Sequence, residues 1–481
     1  MSRNATPVDG PTVLVVGGGP VGVTLSIALS NYGIDSLILE KDIGIHPLPR
    51  AILIDAEAHR SLIQHGVGNG LEELLTPMRT AEYVDAHGNR LAGQDLDSLR
   101  VYGGLPSSSV HFQPELEQHL RHRAVRNGVR LLEGSSARSM SVGRNGDGVS
   151  VTTDDGRTYS GRYLVGCDGA SSTVRRQLEI GREDLGFDQD WLVVDVEVHD
   201  RATCGLPDVA QQVCDPIRPT TFLSGHGRRF RWEFQIQPDE DPTEMNTPER
   251  VWGLLSEWIT TDSADLIRSA SYKFHAGVAT TWRVGPVMLA GDAAHQMPPF
   301  MGQGLNSGMR DAFNLAWKLK WVTAGWAGEG LLDTYSTERI EHSRTTVEHS
   351  VDAGLLIDQY SGRQSHGIAP RDGYGSRRER ARFTNGAVAG NHPRVGTFFN
   401  SWHDLAPHIP IGADMLLVSS TSKSPAIPPW KGPWSTARLE RDKTFGMDHV
   451  VVRPDGCIAA ACAESELDGV LDSLARAMDA R

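Results

Sequence analysis

The sequence has no Lys/Arg run, and its 47 basic against 60 acidic residues leave a formal net charge of −13. That balance excludes nucleic acid and an anionic membrane surface as main partners, since both are bound through clustered positive charge. No apolar run reaches the ~18 residues needed to span a bilayer, so no membrane partner is expected. The N-terminal stretch MSRNATPVDGPTVLVVGG lacks the cationic, apolar and small-residue succession of a secretory signal. The five cysteines (Cys167, Cys204, Cys214, Cys457 and Cys462) are odd in number, widely spaced and free of any CxxC pair. This argues against a disulfide framework or a structural zinc and fits a reducing compartment, so the expected location is cytoplasmic. The 18 histidines show no metal-ligand spacing and no HExxH occurs, so no metal is expected.

What is present is an ordinary globular balance, with 39% hydrophobic and 22% charged residues. The length, 481 residues, leaves room for roughly two to four domains. Residues 12–16 (TVLVV) read as a buried parallel strand, 21–31 as a helix and 36–40 as a second strand, which is a β-turn-α-β unit. A surface helix is predicted over 114–127, with strands near 129–132, 149–153 and 163–166. From 187 to 285 the pattern turns to alternating strands. Residues 229–236 put Phe230, Trp232, Phe234 and Ile236 on one face and Arg229, Arg231, Glu233 and Gln235 on the other, as an antiparallel sheet with one polar or cavity-lining face requires. Two long helices are predicted at about 304–324 and 331–359. A polar, Gly- and Arg-rich stretch, 361–385, reads as a linker. The strand-turn 449–460 and a helix at 464–478 suggest a small α/β module at the end.

The turn Gly17-Gly18-Gly19-Pro20-Val21-Gly22 fits GxGxxG. Gly17 permits a tight turn, Gly19 lets a pyrophosphate approach the backbone, and Gly22 lets helix and strand pack. Pro20 opens the helix, whose free N–H groups and partial positive charge suit phosphate. Glu40 ends the next strand, with Lys41 beside it, and its carboxylate can bind an adenosine ribose. Alone the motif does not separate FAD from NAD. Two further motifs do: 167–175 (CDGASSTVR) after a strand, and 291–306 (GDAAHQMPPFMGQGLN) after another. In the last, Asp292 can bind a ribityl hydroxyl. The backbone N–H groups around Gly302, Gly304, Leu305 and Asn306 can face the pyrimidine edge of a flavin and stabilise charge on its reduced ring. NAD has no such second half, so the pair of sites suits extended FAD.

Together these motifs resemble the class A flavoprotein monooxygenases, the family of para-hydroxybenzoate hydroxylase and phenol hydroxylase, over about residues 1–360. The stretches 191–196 (WLVVDV), 211–216 (QQVCDP), 231–234 (RWEF) and 274–276 (FHA) are most similar to 3-(3-hydroxyphenyl)propionate hydroxylases. The resemblance implies cofactor roles for Asp168, Arg50, Gln113 and Pro299. It implies an α/β fold in which a Rossmann-like FAD-binding domain (1–186 and 286–360) carries an inserted antiparallel-sheet substrate domain (187–285). A linker (361–394) would lead to a thioredoxin-like domain (395–481), structural or oligomeric in role because it lacks CxxC. It also implies hydroxylation of a phenolic substrate with O2 and NADH or NADPH through a C4a-hydroperoxyflavin, with a homodimer as one admissible assembly. The single GxGxxG fits a nicotinamide that docks only transiently.

A phenol ionises near pH ~10, so a base or positive field is required. Candidates are Asp55, with a helix-start carboxylate as the alternative, and His295, with a hydrogen bond that holds its turn as the alternative. Arg229 and Arg231 are candidates for a substrate carboxylate, against a cross-strand salt bridge, and Pro298 for contact near the flavin. Competing functions are a polyketide- or antibiotic-type aromatic hydroxylase and, from another class, a non-catalytic flavin-binding regulator.

Overall fold

The computed structural model describes residues 10–363, 381–401, 412–421 and 430–480, apart from 145, 147 and 431. Residues 364–380, half of the expected linker 361–394, lie outside the described residues.

Val13–Val16 is buried along its whole length and pairs in parallel with Ser36–Leu39 on one side and Tyr163–Gly166 on the other. A strand packed on both faces has no polar side to show, which is why it reads as a continuous apolar run. Arg130–Leu132 extends this six-stranded sheet at one edge. Val287–Leu289 extends it in parallel at the other, followed by an antiparallel edge strand, Arg283–Val284. Because Val13–Val16, Tyr163–Gly166 and Val287–Leu289 run the same way, the three motif-bearing turns leave the same end of the sheet. Open parallel sheets bind ligands at that end. The helix Gln303–Thr323 crosses Pro20–Asn31 closely, since a side chain on Gly308 would meet Val21 Cγ2 at 2.6 Å. The expected helices at 114–127, 304–324 and 331–359 appear as Gln113–Arg126, Gln303–Thr323 and Gly330–Tyr360.

A second sheet has eight strands. Its centre is the antiparallel pairing of Arg182–Val198 with Ala264–Ala279 and Arg229–Gln235. One face carries Leu192, Val194, Phe230, Trp232 and Phe234, packed with Val251 and Leu255 from the helix Pro248–Leu255. This sheet is not confined to 187–285. Thr80–Asp85 joins it in parallel with Ala210–Cys214, and Arg90–Asp95 pairs onto that strand at the edge. Pairing between strands so distant in the chain leaves no local signal, so the sequence boundaries missed it.

At the end of the chain Met415–Ser419 pairs in parallel with Trp434–Arg438 and antiparallel with His449–Val452, which forms a hairpin with Ile458–Cys462. The helix Leu467–Ala477 follows. This unit is fastened to the first domain by a buried ion network. Arg453 pairs with Asp455 and, at 2.9 Å, with Glu338, while Lys318 meets Glu338 at 2.8 Å. Asn314 and the Ala387 N–H also donate to Glu338. Burial alone would push the Glu338 carboxyl up, but Arg453 and Lys318 outweigh it and hold it at about 2.

Replacing one member strands the others in a low-dielectric interior. Arg453→Met is expected to cost about 3–5 kcal/mol, seen as a lower Tm and easier proteolysis after residue 380. A carboxyl held below its ordinary value of about 4.3 stabilises the fold above that pH. The Glu338 contribution is therefore expected to fade as pH falls from about 4.3 towards 2 in wild type and to be absent from the pH–stability curve of Glu338→Gln. An Arg453→Met protein as stable as wild type would refute the network's role.

Candidate active site

The glycine turn is built as its spacing implies. Gly17 has φ 107°, and a Cβ there would lie 2.3 Å from the Cys167 carbonyl oxygen. A Cβ on Gly22 would lie 2.1 Å from the Gly17 carbonyl oxygen, so helix and turn touch at that point. A Cβ on Gly19 would meet nothing within 4 Å, so open space lies where the helix Pro20–Asn31 begins with unbonded N–H groups. Glu40 is buried. Its Oε2 accepts from the Gly18 N–H at 2.5 Å and its Oε1 from the Asp42 N–H at 2.9 Å, which sets the carboxylate beside the turn. Lys41 is exposed next to it.

The second half follows the parallel strand Val287–Leu289 at the same end of the sheet. After the 3-10 turn Pro299–Met301, Gly302 takes φ 61° and starts the long helix. A Cβ on Gly302 would strike Leu53 at 2.8 Å, whereas Gly304 again faces open space. Leu305 is half-buried. Asn306 has no exposed surface. Its amide donates to the Gly302 and Leu53 carbonyls and accepts from the Asp55 N–H, so its side chain locks the helix start to the Leu53–Asp55 strand. Asp292 is exposed between the buried Gly291 and Ala293. Burial raises its pKa, opposed by His295 and Arg50. Gln113 Oε1 accepts from the N–H groups of Arg50 and Ala51, at 2.8 and 2.7 Å, and so shapes the Arg50 loop.

Several candidates are placed otherwise than expected. Asp55 caps the helix Ala56–Gln64 through the Ala58 N–H, and its other oxygen pairs with Arg310. It is not a free base. His295 is fully buried, stacked on Trp282, with Nε2 2.8 Å from Asp311 Oδ2. Asp311 also accepts from the Gly291 N–H and from Arg339. Burial would raise its pKa, but Arg339 and His295 outweigh that and hold it low. His295 therefore holds its turn, and neither residue is placed to do acid–base work. Asp168 accepts from Ser172, Thr173 and Val174 at the start of the helix Thr173–Gln177 and so shapes the motif. Arg231 is buried in a bidentate cross-strand pair with Asp195 at 2.7 and 3.1 Å. Its remaining donors hold the Arg50 and Pro49 carbonyls. Arg229 pairs with Glu115 at 2.9 Å and covers the Phe112 ring. Neither arginine is free for a substrate carboxylate. Pro298 is buried and Pro299 half-buried in the turn.

Sequence reasoning missed an aromatic wall against this turn. Phe300 meets Trp191, Phe187 and Phe274, with ring centroids 5.1, 5.8 and 6.1 Å apart. It also missed Arg310, which joins Asp55 and Glu57 across more than half of the chain. The alternation of 187–199 and 229–236 could have hinted at the wall; no local signal points to Arg310.

Two open cradles at one end of a parallel sheet, one for phosphate and one with free N–H groups at a helix start, suit a long dinucleotide. The profile of the FAD binding domain family matches residues 11–350. The chain belongs to this family. FAD is its cofactor, and the residues fit it. Gly19 and Pro20 leave room for the pyrophosphate and Glu40 stands where a ribose would bind. The chain is 35% identical over 349 residues to a Rhodococcus jostii (strain RHA1) protein named "Probable NADH-specific resorcinol 4-hydroxylase", covering 72% of this chain and 65% of that one. It is 37% identical over 352 residues to the 3-(3-hydroxy-phenyl)propionate/3-hydroxycinnamic acid hydroxylase of Klebsiella pneumoniae (strain 342), covering 72% and 62%. The match thus spans less than two thirds of these relatives' length. A solved ternary complex of aklavinone-11 hydroxylase with FAD and aklavinone shares the fold, with a TM-score of 0.79, 23% identity and coverage of 98% and 100%.

Gly19→Ala separates folding from cofactor binding, because a methyl there meets no protein atom. It is expected to cost the apoprotein no more than about 1 kcal/mol, while FAD affinity measured by flavin fluorescence falls about tenfold or more. Unchanged FAD affinity would place the pyrophosphate elsewhere.

Proposed function

We propose that the chain is a flavoprotein monooxygenase that hydroxylates a phenolic ring with O2 and NADH or NADPH. The observation that carries this is the meeting of the two FAD cradles with a closed face of the second sheet. When bound, FAD supplies hydride acceptance and oxygen activation. The chain's own residues supply position and dryness. Free N–H groups at Gln303–Leu305 favour negative charge on the cofactor's pyrimidine edge. Phe187, Trp191, Phe274 and Phe300 close the space beside the Pro298–Phe300 turn against water. The Arg50 loop, held by Gln113 on one side and Arg231 on the other, fixes the opposite wall.

A 3-(3-hydroxyphenyl)propionate-like phenolic acid or resorcinol is the substrate class to test first, supported by the names of the two relatives. The chain end, with one parallel and two antiparallel pairings and a closing helix, supports a thioredoxin-like unit, and its lack of CxxC supports a structural or oligomeric role, such as in a homodimer. Five free cysteines support a cytoplasmic location. Asp168, Asp292, Arg50 and Gln113 are proposed to frame the cofactor and Pro298 to border the substrate space.

Protein reconstituted with FAD is expected to oxidise NADH or NADPH several-fold faster with one of these phenols. Mass analysis should show a product heavier by one oxygen atom. A yellow protein that no phenol stimulates, or one that returns only hydrogen peroxide, would overturn the proposal.

A further inference from the structure

The second sheet's inner face, opposite Phe230, Trp232 and Phe234, is built from cross-strand rows. One row, Asp195 and Arg231, reaches the flavin-side wall through the Pro49 and Arg50 carbonyls. Four residues along the strands, the row of Trp191 and Gln235 reaches the opposite, aromatic wall where Trp191 meets Phe300. The row between them is Ala270, Val193, Glu233 and Thr221. Three of its side chains are short and uncharged, so Glu233 is the one charged group of this row. Glu233 itself is 4% exposed. Among the described residues no group donates a hydrogen bond to it, and the Arg231 guanidinium, already paired with Asp195, stands 3.9 Å away. A buried carboxylate without a donor costs free energy, and an incoming hydrogen-bond donor would offset that cost.

We propose that Glu233 is the acceptor for the phenolic proton of the substrate, a role that rests on the hydroxylase reading above. The phenolic O–H bond breaks, a new O–H bond forms on a Glu233 oxygen, and the electron pair stays on the ring oxygen, which activates the ring for attack on an electrophilic oxygen. The proton returns to solvent once the product has left. Asp55 and His295, the other candidates, are occupied by Arg310 and Asp311.

The charged surroundings agree. Burial pushes the Glu233 carboxyl up to about 7, against the pull of Arg231 on its own strand, with Asp195 on the next strand raising it and Arg268 beyond lowering it. A base of that strength is ionised in the neutral range and still basic enough to assist. Activity that depends on ionised Glu233 rises with pH through about 7.

The test uses FAD-loaded wild type, Glu233→Gln and Glu233→Asp, with resorcinol and 3-(3-hydroxyphenyl)propionate as probes. The visible flavin spectrum checks that each variant is folded and loaded. Wild-type kcat/KM for hydroxylation is expected to fall below about pH 7. Glu233→Gln should lose that acid limb and about 100-fold in rate, with partial recovery in Glu233→Asp. Ring-fluorinated versions of the probes, which ionise unaided near neutrality, should restore most of the Glu233→Gln rate, an outcome that a merely structural carboxylate would not produce. A Glu233→Gln protein with the wild-type profile, or one equally impaired with fluorinated phenols, overturns the proposal while leaving the hydroxylase reading intact. Wild type that hydroxylates no phenol overturns both.

Discussion

A carboxylate with no exposed surface, Asp311, ties together the parts on which the site depends. It accepts from the Gly291 N–H, from His295 and from Arg339, and so joins the end of a sheet strand, the turn after it and both long helices. Three donors of two formal kinds offset the cost of burying the charge. The turn it holds leads through Pro298 and Pro299 into Gly302, where the left-handed backbone starts a helix with its first N–H groups free. Without that anchor the second cradle would have no fixed position relative to the first.

The same logic governs the second sheet. Its polar face is not a surface. Asp195, Arg231, Glu233 and Gln235 are all buried, and the Asp195 carboxylate is met by Arg231 and Arg268. Arg231 spends its last donors on backbone carbonyls of the first domain, so an ion pair inside one sheet also sets the loop opposite it. Glu233 is the exception, a carboxylate left without a donor among the described residues, between two occupied rows.

Much of the cofactor half was legible in the residues. The run TVLVV, the glycines after it and Glu40 carry their meaning locally, because a tight turn, close backbone approach and a strand-end acid lie within one supersecondary unit. The second cradle was legible for the same reason. The catalytic and substrate candidates fared differently. Asp55 and His295 were chosen for a reactive group near a motif, Arg229 and Arg231 for their place on the polar strand face, and each is engaged by a neighbour. For Asp55 and Arg231 that neighbour lies far away in sequence.

Sequence alone determined which turns could receive a dinucleotide, since glycine geometry and helix-start N–H groups are local properties of the backbone. It also determined that one strand face of 229–236 would be polar. Tertiary structure decided which of the polar side chains are spent and which remain available. That outcome depends on partners brought within hydrogen-bond distance by packing, and no local pattern records them. Arg310 beside Asp55 and the short side chains around Glu233 are consequences of sheet register and helix crossing, which exist only once the chain has folded.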